Sequence, residues 1–260
     1  MRMHQSTRGI IAIPARMAST RLPDKLMLAA AGKPILQHVI ERAQTAAAQS
    51  DGRISQVVVA YDDERLRQIA LACGVRAIAT GTHHACGTTR IAEAVEALGD
   101  DSIDFVVNVQ GDEPEIAPEA ILTVVEALLA DERAPMATLA TAMPKGSEGM
   151  KANPNAVKVV IDKSGKAIYF SRAPVPYDRA RSEEGEALWH HHLGIYAYRR
   201  DFLTEFAALP PSALEVREGL EQLRAIEHGH AIRVGIVPAA WAAKGIDTAE
   251  DFAAFARRAG

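Results

Sequence analysis

The chain is short of cysteine and aromatic side chains. Of its 260 residues only Cys73 and Cys86 are cysteines and 5% are aromatic. One cysteine pair is too little for a disulfide framework, so a buried core has to supply stability. No apolar run approaches the ~20 residues that span a bilayer, so membrane insertion is not expected. The opening MRMHQSTRG has no apolar centre, so no signal peptide is expected and the protein is read as cytoplasmic. An excess of positive charge is also missing. Against 33 Asp and Glu stand 29 Lys and Arg, for a formal net charge of -4, which argues against a general nucleic-acid binder. The loop after the first apolar run has neither G-x-G-x-x-G nor G-x-x-x-x-G-K-[ST], so the glycine fingerprint of a Rossmann dehydrogenase and the Walker loop are both excluded.

What is present is an ordinary globular composition, 48% hydrophobic and 24% charged, with a strong alternation of patterns. The runs GIIAIPA (9–15), QVVVA (56–60), VRAIA (75–79) and FVVNVQ (105–110) read as buried parallel strands. A helix is expected from near Pro34, with Ile35, Leu36, Val39, Ile40 and Ala43 on one face. Further amphipathic helices are expected at DERLRQIALAC and TTRIAEAVEAL. This order implies right-handed crossovers and a doubly wound α/β sheet, whose ligands bind beyond the carboxyl ends of the strands. The second half reads as strands without intervening helices at 136–143, 156–162, 166–172 and 191–199, with a polar stretch at 177–189. A helix over SALEVREGLEQLRAIEHG, a strand at AIRVGIV and a last helix after GIDTAED follow. No linker separates the halves, so one α/β domain over 1–260 with a β-rich insertion at about 136–198 is expected.

Three motifs carry candidate chemistry. The first is the loop bearing Arg16, Ser19, Thr20, Arg21 and Lys25 beyond Ala15. Such cations suit a triphosphate, because Arg and Lys pair strongly with phosphate oxygens; a solvated loop is the alternative. In VNVQGDEPEI an apolar strand ends at Gln110-Gly111-Asp112, which suits Mg²⁺ coordination or, alternatively, only a turn. In GIDTAED, Asp247 is either a second carboxylate or part of a helix cap in which Asp247 or Thr248 acts with Glu250 or Asp251. His190, His191 and His192 alternate faces in a strand, so a zinc site there is not expected. Cys86, near His83 and His84, has no second ligand cluster at metal spacing and is read as structural.

Eight blocks in register bind these pieces together: IPARMASTRLPDKLM, GKPILQHVIERA, VNVQGDEPEI, NPNAVKVVID, YFSRAPVPYDR, HHLGIYAYR, LEQLRAIEHG and GIDTAEDF. From about Gly9 to Phe255 they resemble the 3-deoxy-manno-octulosonate (KDO) cytidylyltransferases. The resemblance implies a nucleotide-diphospho-sugar transferase fold (GT-A/Rossmann-like), a homodimer formed through the β-rich insertion, and a role in lipopolysaccharide or related surface-glycan synthesis. It also implies the reaction CTP + KDO → CMP-KDO + pyrophosphate. By motif, Ala15, Arg16, Lys25, Gly87, Arg90 and Asp112 would bind the nucleotide, and Asp112 and Asp247 would hold Mg²⁺. Arg16, Lys25, Asp112 and Asp247 would form the catalytic set, and Gln110, Arg172, His192, Tyr196, Glu221 and Gln222 would line the sugar-acid pocket. The chain departs from the family pattern at Cys86 and Thr89, where Ser and Glu are usual, and at His191, where Arg or Lys is usual. Those departures bear on the acceptor, with an amino-KDO, another nonulosonic-type acid or a phosphonate as alternatives.

Overall fold

The computed structural model describes residues 7–19, 21–143, 147–177, 179, 189–242 and 244–260. Thr20 and most of the polar stretch at 177–189 lie outside the described residues. In chain order the strands are β1 Gly9–Ala15, β2 Ala29–Ala30, β3 Lys33–Pro34, β4 Ile54–Tyr61, β5 Arg76–Ala79, β6 Phe105–Asn108, β7 Met136–Ala142, β8 Lys158–Ile161, β9 Ala167–Ser171, β10 His190–Arg199 and β11 Ile232–Val237. The α-helices are α1 Ile35–Ala48, α2 Glu64–Ala72, α3 Gly87–Leu98, α4 Pro118–Leu129, α5 Glu148–Ala152, α6 Arg200–Ala208, α7 Ala213–Glu218, α8 Leu223–Glu227 and α9 Ala249–Ala259. The chain divides into two compact units.

The first unit comprises Met1–Leu122, Tyr198–Ala207 and Ala243–Gly260. Its strands lie in the order β6-β1-β4-β5, and all three neighbouring pairs are parallel. From β1 the chain winds outwards through β4 to β5 and then returns to place β6 on the other side of β1. The strand order therefore reverses between β1 and β6, the position at which a doubly wound sheet opens a crevice beyond its strand ends. Ile10, Ile11 and Ile13 of β1 and Val106 and Val107 of β6 are fully buried, as expected for a central pair covered on both faces. Helix α1 begins one residue after Pro34 and buries Ile35, Leu36, Val39, Ile40 and Ala43, the face its periodicity marks out. One strand differs from expectation. β5 is half-exposed rather than buried, because it is at the end of the strand order and has a neighbour on one side only.

The second unit comprises Thr123–Ala197 and Ala208–Ala242. Here β11 pairs with β7 in parallel, and β8 pairs antiparallel with both β9 and β10. Two further expectations are corrected. The five-residue helix α5 stands between β7 and β8, so the strands are not free of intervening helix. The long helix expected around 212–229 is two short ones, α7 and α8. Gly219 takes a left-handed φ of 61° after Glu218, which ends α7 and turns the chain before α8 begins.

Candidate active site

The crevice at the strand reversal is lined by Arg16, Lys25, Gly87, Arg90, Gln110 and Asp112, all named by the sequence reading. Arg16 follows Ala15, the buried last residue of β1, and Gln110 and Asp112 follow β6. Two glycines let the walls close. A Cβ on Gly111 would sit 2.8 Å from the Pro14 carbonyl oxygen, and one on Gly87 would sit 3.0 Å from the Pro14 ring. Gly87 is also the first residue of α3, so the positive end of a twelve-residue helix stands at this wall.

Charge is concentrated around Lys25. Its ammonium donates to Asp112, to Asp247 Oδ1 at 3.3 Å and to the Ile246 carbonyl at 3.2 Å. Arg21 pairs with the same Asp247 oxygen at 2.9 Å. The backbone joins the carboxylate segments as well, since the Ile246 amide donates to the Asp112 carbonyl at 2.9 Å. Residues 222 positions apart in sequence thus share one hydrogen bond. Beside them, desolvation and then the charges of Asp112 and Asp247 push the Glu113 carboxyl up to about 8. Two hard oxygen donors thus converge on one cation, a donor set that fits Mg²⁺.

The ambiguity over Asp247 resolves. The cap of α9 is Thr248, whose side chain accepts from the Asp251 amide, while Asp251 reaches back to the Thr248 amide. With the capping box complete without it, the Asp247 carboxylate is left to Lys25 and Arg21.

Arg90 reaches the crevice wall, but its guanidinium is engaged inside the protein. It donates to Thr80 Oγ1 at 2.6 Å and to Asp62 Oδ2 at 2.8 Å, with side-chain exposures of 3% for Arg90 and 8% for Asp62. The other Asp62 oxygen accepts the Met17 amide at 2.9 Å and so fastens the loop that carries Arg16. Sequence reasoning missed Asp62. The available signal was a carboxylate just past the carboxyl end of an apolar strand, in VVVAYDD.

The residues expected to meet an acid substrate in the second unit are placed differently. Arg172 donates through its guanidinium to the carbonyls of Glu218 at 2.7 Å, Pro154 at 2.9 Å and Gly219 at 3.2 Å. Its own carbonyl accepts from the buried Lys158 ammonium at 2.5 Å. His192 is 7% exposed, with its ring edge-on to Phe170 at 4.9 Å and Nε2 2.9 Å from Thr138 Oγ1. Burial, then the neighbouring His191, hold the His192 imidazole at about 3. Tyr196 stacks obliquely on His192 at 5.6 Å. Gln222 is buried, yet its Nε2 has no hydrogen-bond partner, and Glu221 precedes it at the start of α8. His191 is opposite Lys158 in the β10–β8 register, and burial followed by that ammonium lowers its basicity.

A doubly wound sheet with a basic loop and paired carboxylates at its strand reversal defines an α/β nucleotide-handling enzyme. Residues 10–232 match the cytidylyltransferase family, and the chain belongs to it. It is 46% identical over 242 residues to the "3-deoxy-manno-octulosonate cytidylyltransferase" of Syntrophobacter fumaroxidans, covering 93% of each chain. To the protein of the same name from Tolumonas auensis it is 47% identical over 246 residues, again with 93% of each covered. Among solved structures it resembles a CMP:2-keto-3-deoxy-manno-octonic acid synthetase complexed with CTP, at a TM-score of 0.85 and 39% identity, covering 96% of this chain and 98% of that one.

Proposed function

We propose that the protein transfers the cytidylyl group of CTP to KDO and releases pyrophosphate. The observation that carries this reading is the convergence of Lys25, Asp112 and Asp247 at a crevice also lined by Arg16 and Gly87. In the transfer, the anomeric hydroxyl oxygen of the sugar acid bonds to the α-phosphorus, the bond from that phosphorus to the β-phosphate oxygen breaks, and the hydroxyl proton is lost. Arg16 and Lys25 bind the phosphate oxygens, while Asp62 and Arg90 hold the loop that presents them. Ala15 and Gly87 border the nucleotide. Asp112 and Asp247 are the residues that would hold Mg²⁺, which when bound supplies neutralisation of phosphate charge and polarisation of the attacking hydroxyl. Of the acid-binding residues, Gln222 offers an unpaired buried amide, and a buried donor without a partner favours a ligand that accepts from it. Arg172 retains two of the five guanidinium N–H donors after its three backbone bonds, and Gln110, His192, Tyr196 and Glu221 complete that set.

The experiment is pyrophosphate release with Mg²⁺ across nucleotides and acceptors. The expected result is release that requires both CTP and KDO, with UTP the nearest competing nucleotide. Equal release with ATP contradicts the nucleotide assignment, and release with an amino-KDO or a phosphonate but not KDO contradicts the acceptor. A homodimer through the second unit belongs to the same proposal. Ile168 on β9, Ile236 on β11 and Val216 on α7 are large apolar side chains exposed on that unit. A monomer by light scattering at micromolar concentration contradicts it.

A further inference from the structure

The turn between β5 and α3 gathers a second group of ligand-type side chains. One ring nitrogen each from His83 and His84 and one carboxylate oxygen of Glu93 lie within 4.8 Å of one another. The sequence reading found no ligand cluster here; the third member comes from inside α3, where only the fold brings it to the turn.

The cluster is held in place from several sides. The Thr80 amide bonds to the Tyr61 carbonyl at 2.8 Å and fixes where the turn leaves the sheet. The Gly81 amide donates to Glu93 Oε1 at 3.1 Å and draws that carboxylate over the turn. His83 folds down onto Gly81 so closely that a Cβ there would lie 2.3 Å from its Nδ1 and would push the ring away from this position. Thr89, one of the departures from the family pattern, orients His84. Its hydroxyl donates to the Cys86 carbonyl at 3.2 Å and is 3.1 Å from His84 Nδ1. With the hydroxyl hydrogen so used, Thr89 Oγ1 accepts from Nδ1–H, and His84 Nε2 is directed at Glu93, which it contacts. An imidazole whose second nitrogen donates to a neighbouring oxygen is the usual arrangement behind a metal ligand.

The two imidazole rings lie 4.3 Å apart with an interplanar angle of 33°, and one nitrogen of each is within reach of the Glu93 carboxylate. A shared cation satisfies all three groups. We propose that His83, His84 and Glu93 form a binding site for a borderline transition cation of the Zn²⁺ class. Two imidazoles and a carboxylate suit such an ion and not Mg²⁺, and three protein ligands leave a coordination position open. Bond lengths of about 2.0–2.2 Å place tetrahedral ligand atoms roughly 3.4 Å apart, so the His84–Glu93 contact would open to admit the ion while exposed His83 closes in from the turn. His84 also lines the nucleotide crevice, so the site adjoins it while sharing neither Asp112 nor Asp247.

The test is direct binding of Zn²⁺ to the metal-free full chain in competition with a chromogenic chelator. Wild type, His83→Ala, His83→Gln and Asp247→Asn are compared. The expected result is one Zn²⁺ per chain in wild type and Asp247→Asn, with affinity at least ~10-fold weaker in both His83 variants (a factor of ten is 1.4 kcal/mol). Mg²⁺-supported pyrophosphate release and melting of the His83 variants should match wild type in zinc-free buffer. Co²⁺ should give the visible bands of a low-coordinate site in wild type and Asp247→Asn but not in the His83 variants. Equal Zn²⁺ affinity in wild type and both His83 variants, or no saturable binding at micromolar Zn²⁺, overturns the proposal.

Discussion

The crevice of the first unit and the residues proposed to bind the acid in the second are built on opposite plans. In the first, ionic groups answer one another: Lys25 serves Asp112 and Asp247, and Arg21 serves Asp247 again. Such side chains can exchange one ionic partner for another, as a polyanionic ligand with its cation requires. In the second, the polar groups mostly serve the backbone. Arg172 secures the carbonyls of Pro154, Glu218 and Gly219, Lys158 secures that of Arg172, and His192 is engaged by Thr138 in the core. Among the described residues of that set, the buried Gln222 amide and two of the Arg172 N–H donors are left open by the fold. One region keeps charge in exchangeable pairs; the other makes a rigid wall with few donors still to give.

The largest effect is expected where the first plan has its buried anchor. Asp62→Ala leaves the guanidinium of Arg90 buried without its charge partner and also releases the Met17 amide. A loss of about 3–5 kcal/mol in urea unfolding is expected. A loss below ~1 kcal/mol would show that the loop does not depend on this pair.

A smaller effect, with a defined pH window, is expected in the second unit. The His192 imidazole is held at about 3 when folded and returns to the ordinary histidine value near 6.5 when unfolded. Below about pH 6.5 the unfolded chain therefore binds the extra proton, and stability falls as pH drops towards 3. Between pH 7.5 and 4.5 this amounts to roughly 2–3 kcal/mol. Chemical denaturation should show His192→Gln losing less stability than wild type over that interval by about this amount. Equal losses would place the pH sensitivity elsewhere.

The smallest effect separates cap from site. Thr248→Ala removes the cap of α9 and should lower stability by about 1 kcal/mol while turnover stays within ~2-fold of wild type. A collapse of turnover with unchanged melting would assign Thr248 to the chemistry instead.

Much of this contrast was legible in the sequence, but unevenly. The run 9–15 coincides with β1, and the face of α1 is the one its spacing marks, because both signals are local and periodic. The crevice residues were legible because motif and strand end coincide at Arg16, Gln110 and Asp112. What was not legible depends on non-local pairing. The half-exposure of β5 follows from its edge position, and Asp62 acquires its role only when Arg90 is folded against it. Asp247 could not be told from a cap because GIDTAED supplies acceptors at several capping positions; the fold chooses Thr248 with Asp251. The break between α7 and α8 was readable at Gly219, but the apolar pattern continues through it.

The central claim, that Lys25, Asp112 and Asp247 form the chemical centre, is tested most directly by steady-state pyrophosphate release from Asp247→Asn with CTP, KDO and Mg²⁺, alongside its melting curve. Asn is a poorer ligand for a hard cation and cannot form the ionic pairs with Lys25 and Arg21, while the Thr248–Asp251 cap stays intact. The account predicts wild-type melting with kcat down at least ~100-fold, about 2.7 kcal/mol of transition-state stabilisation. Unchanged melting with wild-type kcat would contradict it.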